Sequence, residues 1–136
     1  MKNMKVVILI LKLLITVIVG QTLFFKFSGA SESVYIFSRL GIEPWGRIAM
    51  GVLELLSIIL LWIPVTMLYS LVLILGMMFG AVTSHIGVLG IEIMGDHGEL
   101  FILALVTLAS SATLLVLHRA ELRALISKVI STKTHN

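Results

Sequence analysis

Pro44–Pro64, PWGRIAMGVLELLSIILLWIP, is an apolar run with a proline and a tryptophan near each end. Proline suits the first turn of a helix, where its missing N–H would have no partner, and tryptophan settles at the headgroup level of a bilayer. Only Arg47, beside the entry, and Glu54, in the middle, are charged. Such a run predicts a helix over about 45–63, long enough to cross a hydrocarbon core of roughly 30 Å. It also buries a carboxyl roughly 13 Å below Trp45, at 1.5 Å per residue.

The rest of the chain repeats this character. With 59% of its residues hydrophobic and 12% charged, and a mean hydropathy of +1.14, a chain of 136 residues has too little interior to hide its apolar surface from water. A first crossing is expected over about 4–25, interrupted by Lys12, Thr16, Gly20 and Gln21 and preceded by Lys2 and Lys5. It is too long for a cleaved leader and has the bulky Ile18 where a small residue would be needed, so it is read as retained. Lys12 is read as snorkelling toward the cytoplasm. Polar composition from Lys26 to Glu43 predicts a short interfacial helix, capped by Ser31 and stopped by Gly41, in the first outer loop. The third crossing is expected over about 66–86. Its short link to the second makes the two antiparallel neighbours, with Trp62 and Tyr69 as an aromatic pair at the boundary. Gly87, Gly90, Gly95 and Gly98 read as a flexible loop. The fourth crossing spans about 99–118, and 119–133 forms an amphipathic tail helix with Leu122, Leu125, Ile126, Val129 and Ile130 on one face. The expected fold is all-α: one domain, 1–136, built as a membrane-spanning four-helix bundle.

Lysine and arginine set the orientation. Lys2, Lys5, Arg119, Arg123, Lys128 and Lys133 fall on one side, against Lys26, Arg39 and Arg47 on the other, so both termini are expected in the cytoplasm of a multi-pass inner-membrane protein. The net charge of +3 follows from this topology and does not call for nucleic acid.

An ionisable side chain inside a bilayer costs roughly 2.5–3.5 kcal/mol on insertion scales and needs a partner. Glu54 therefore heads the candidates for ligand binding or proton handling, joined by Lys26 and Gln21 near the outer end of the first crossing and His85 near that of the third. With helix ends level, Glu54 would lie about 10 Å below His85. No cysteine is present, which removes disulfide and thiolate chemistry. His85 and His118 sit at opposite membrane faces, unsuited to one haem iron. No zinc spacing occurs, so no metal is expected. Gly76, Gly80 and Ser84, like Gly51 and Ser57, are read as small-residue faces for close helix packing, with dimerisation as a second use. Met77 and Met78 read as core.

Phe24-Phe25-Lys26-Phe27, Gly41-Ile42-Glu43-Pro44, Gly51-Val52-Leu53-Glu54-Leu55-Leu56 and the histidine His85 together resemble the DoxX-like membrane family over about Gly20–Ile86. The resemblance implies a four-helix bundle with Lys26, Glu54 and His85 as its polar positions. By the same resemblance, relatives serve as subunits of quinol-linked redox enzymes, in oxidative-stress complexes, or as membrane chaperones. The expected function is an accessory membrane protein whose outward-facing polar pocket binds a quinone or a lipid in a redox-linked complex. No resident cofactor is assigned, and quinone is the candidate; expected partners are membrane lipids and a redox complex or a second copy. The rivals are a proton-coupled small-molecule transporter and a non-catalytic assembly factor or chaperone. The absence of a cysteine pair, a haem-ligand pair or a hydrolytic motif points away from an enzyme.

Overall fold

Twenty-seven residues without a proline form one helix, α1 (Lys2–Ser28), which stops where Gly29 takes the left-handed conformation (φ 68°) that its missing Cβ permits. The computed structural model describes residues 1–134, and the regular elements among them are all helical. After α1 come α2 (Ser31–Arg39), α3 (Trp45–Leu61) and α4 (Met67–Ser84), which runs into a π-helical turn, His85–Leu89. α5 (Glu99–Leu117) and α6 (Arg119–Thr134) complete the chain. Three segments are long and apolar enough to cross a membrane: α1, α4 with its π-turn, and α5. α3, expected as a fourth, is shorter at 17 residues, about 25 Å of helix.

α1 packs on α3 and α5, and α4 packs on the same two, so the long helices form a ring in the order α1, α3, α4, α5. Contacts between α1 and α3 run in opposite senses, Lys26 to Glu54 near one end and Thr16 to Trp62 near the other. Inside the ring lie Ile15, Val19, Leu61, Leu71, Ile74, Met77, Met78, Ala104, Leu114 and Leu115. Buried hydroxyls are satisfied by carbonyls: Ser57 donates to Leu53, Thr107 to Leu103 and Ser111 to Leu108. The Ser70 hydroxyl instead crosses between helices, 2.6 Å from the Ser57 carbonyl, and sets the register of α4 on α3. The outer surface is rich in exposed apolar side chains, among them Val17, Phe24, Ile59, Phe79, Ile102 and Val116, an exterior suited to lipid.

Several local expectations change. Ser31 does not cap α2: Ala30 holds the cap position, and the Ser31 hydroxyl bonds the Glu32 carboxylate. Trp62 is held by α1, its indole N–H donating to Thr16 at 2.9 Å and its ring lying 4.5 Å from the Lys12 ammonium. α1 therefore continues well beyond the end of α3. The small residues also divide into two kinds. At Gly51 an added Cβ would stand 3.0 Å from the Phe27 ring, so this glycine does let α1 and α3 close together; at Gly76 and Gly80 it would meet nothing within 4 Å. Those two pack no helix among the described residues of this chain. Spacing alone marks small residues but not whether a neighbour approaches them.

Gly51→Leu, which drives a side chain into Phe27, is expected to destabilise the chain by about 1–3 kcal/mol. Gly76→Ala is expected to leave stability at or slightly above that of the parent. Denaturant titration followed by circular dichroism compares them.

Candidate functional site

Lys26 occupies the last turn of α1 and Glu54 the middle of α3. The antiparallel register brings the Lys26 ammonium 2.9 Å from Glu54 Oε1, forming an ion pair in which Glu54 is only 2% exposed. The Thr22 hydroxyl, one turn before Lys26, lies 3.4 Å from the same oxygen. The other oxygen, Oε2, is buried and has no hydrogen-bond partner among the described residues.

The end of α1 and the start of α3 are tied as well. Arg47 Nε donates to both Glu43 carboxylate oxygens at 2.9 and 3.0 Å, and its Nη1 donates to the Lys26 carbonyl. One guanidinium thus anchors the loop before α3 to the last turn of α1.

The pair faces a cavity of about 1020 Å³ that contacts α1 to α5. Gln21, Lys26, Glu54 and His85 all line it. Gln21 is exposed. His85 stands apart from Glu54. The Ser70–Ser57 register puts Glu54 level with Leu73, and His85 lies twelve positions further along, about 18 Å at 1.5 Å per residue. Counted along the helix axis from that register, the separation is longer than the spacing of about 10 Å expected from level helix ends. His85 Nδ1–H donates to the Gly90 carbonyl at 2.8 Å, and its ring meets the edge of Phe101 at 5.5 Å between centroids. Nδ1 is thereby occupied, leaving Nε2 as the nitrogen available for other partners.

The glycine-rich connection after the π-turn is not a structureless loop. Asp96 organises it, Oδ1 accepting from the N–H groups of Ile93 (2.8 Å) and Gly98 (2.9 Å), and Oδ2 from that of Leu100 (3.0 Å). Gly90, Gly95 and Gly98 all adopt positive φ around it. Partial burial pushes the Asp96 carboxyl up. The three N–H groups and the charge of nearby His85 outweigh that push and hold it below the usual value of 3.8.

The Thr22 contact, the Arg47 anchor and the Asp96 turn are not read from the sequence. Thr22 was within reach, since four residues before Lys26 places it on the same helix face; the other two roles depend on helix register and turn geometry. No family model, curated protein or solved structure matches the chain, so the functional reading rests on these residues.

Lys26→Met leaves a buried carboxylate unpaired and is expected to cost about 3–5 kcal/mol, most of it regained in the double variant with Glu54→Leu; equilibrium unfolding of the three proteins measures this. Asp96 has a folded-state value below its unfolded one. Its stabilisation is therefore present above the ordinary carboxyl value and lost as pH falls through the lower, folded one. Protection of the Ile93, Gly98 and Leu100 amides, taken relative to their intrinsic exchange rates, is expected to fall on acidification through that window, and to be low at neutral pH in Asp96→Ala.

Proposed function

We propose that the chain is a DoxX-like protein of the inner cell membrane, crossing it four times with both termini in the cytoplasm. Its cavity binds an amphipathic molecule, a quinone or a lipid, as part of a redox-linked membrane complex. The observation that carries this reading is the buried Lys26–Glu54 pair on the wall of a cavity whose other walls are mostly apolar.

α3 serves as the fourth crossing. Its 17 residues meet the lower limit of about 17 for a spanning helix, and Trp45 and Trp62 flank it at the two ends. The pair offers a headgroup both kinds of hydrogen bond: donors on the Lys26 ammonium and an acceptor at Glu54 Oε2. Ile18, Met50, Leu73, Met77 and Leu103 supply apolar walls for a tail. Because Lys26 already neutralises Glu54 Oε1, a binding role suits this carboxylate better than that of a free proton carrier.

Purified protein is expected to bind a short-tailed quinone such as decylubiquinone, or a phospholipid, with the Lys26→Met/Glu54→Leu double variant weakening binding by about tenfold, through loss of the hydrogen bond from the Lys26 ammonium to a headgroup carbonyl. Isothermal titration calorimetry in detergent measures it. Failure of the parent protein to bind any quinone or lipid would remove this reading.

A further inference from the structure

The cavity's outer end is covered. α2 lies across it, touching α1, α3 and the π-turn. Ser33 and Phe37 on its inner side are buried and line the cavity together with Ile36 and Leu40. The seam between α1 and α3 is closed by Phe27 against Gly51, Lys26 and Thr22 against Glu54, and Arg47 against the Lys26 carbonyl.

The seam between α3 and α4 differs. Its side-chain hydrogen bond, Ser70 to Ser57, lies on the inner side of Glu54. Beyond it α4 lines the cavity with Val72, Gly76 and Gly80, spaced four apart and so on one helix face about 12 Å long. Val72 is 52% exposed, and neither glycine has a neighbour within 4 Å of its Cβ position. Opposite them, α3 contributes Met50 and Glu54. α4 thus offers no side chain at positions 76 and 80, beside the carboxylate whose Oε2 has no partner among the described residues.

Charge and hydrogen bonding then select the occupant. The Lys26–Glu54 pair is neutral as a unit, so a charged headgroup would bring an uncompensated charge into an apolar site. Glu32, Asp96 and Glu99 line the outer part of the cavity and disfavour an anionic headgroup further. What the site lacks is a donor for Oε2. A hydroxyl provides it without charge, whereas a quinone carbonyl or an ester can only accept.

With the cavity taken as a binding site, we infer that it admits a neutral, hydroxyl-bearing lipid from within the bilayer between α3 and α4, the hydroxyl donating to Glu54 Oε2. Quinols and diacylglycerols share this chemistry. Among quinone-type molecules the reduced form is the one that fits.

Native mass spectrometry of the full chain, released from detergent with decylubiquinol, decylubiquinone, dioleoylglycerol or dioleoylphosphatidylglycerol, tests both parts. Decylubiquinol is expected to bind about tenfold more tightly than decylubiquinone, from the added hydrogen bond. The anionic lipid is expected to bind more weakly than either hydroxylic neutral probe, and the tighter of those two identifies the source of the ligand. Gly76→Leu and Gly80→Leu, which fill the seam without touching the ion pair, are expected to cut decylubiquinol binding at least about tenfold with melting unchanged. Equal binding of the two redox forms, or preference for the anionic lipid, overturns the headgroup assignment while leaving the pocket a binding site; that comparison needs no variant. Undiminished binding in correctly folded leucine variants overturns the entry route. Absence of binding by every probe overturns the pocket itself and this inference with it.

Discussion

A carboxylate enclosed by apolar helices needs a compensating charge, and here the charge comes from a different helix. The Lys26–Glu54 pair joins the last turn of α1 to the middle of α3 and so couples two requirements. The helices must run antiparallel at one register for the ammonium to reach the carboxylate, and that register also lays Phe27 on Gly51 and Trp62 against Thr16. The α1–α3 unit then has polar ties along its contact, while α4 and α5 complete the ring with mainly apolar packing. A desolvated pair contributes little net stability, because its Coulombic attraction is largely offset by the cost of removing both ions from water. Its weight is in specificity: slippage of α1 along α3 by one turn would strand a charge on each helix.

The end of the bundle at the start of α5 is organised by backbone geometry. The π-turn at His85–Leu89, the positive-φ residues after it, and Asp96 bonding three N–H groups fold the chain back toward α5. His85 is drawn into this architecture through Gly90 and Phe101. It lines the same cavity as Glu54 but makes no hydrogen bond to it among the described residues.

Glu54 was legible because a charge inside an apolar run stands out against its cost, and Lys26 because it ends the neighbouring run. The positions of the main helices follow from the same hydrophobic runs, punctuated by Gly29, Pro44 and the glycines after His85. Gly76 and Gly80 were read as packing residues. Their spacing is the same whether a helix or a void lies opposite, and only the three-dimensional arrangement separates the cases. Asp96 was hidden for a related reason: an acid in a glycine-rich stretch looks like a solvated loop residue until the turns around it are known. Ser31 shows that a hydroxyl at a helix start does not cap unless the residue adopts the non-helical conformation, a position that Ala30 takes instead.

The unequal lengths of α1 and α3 carry a mechanical implication. α1 is 27 residues and α3 only 17, a difference of about 15 Å along the axis, and Lys12 meets Trp62 where the shorter helix ends. In a bilayer of uniform thickness the two flanks would then suffer opposite hydrophobic mismatch, relieved by tilting α1 or by thinning the lipid beside α3. Thinning on that flank would fall next to the α3–α4 seam, where lipid order would be lowest.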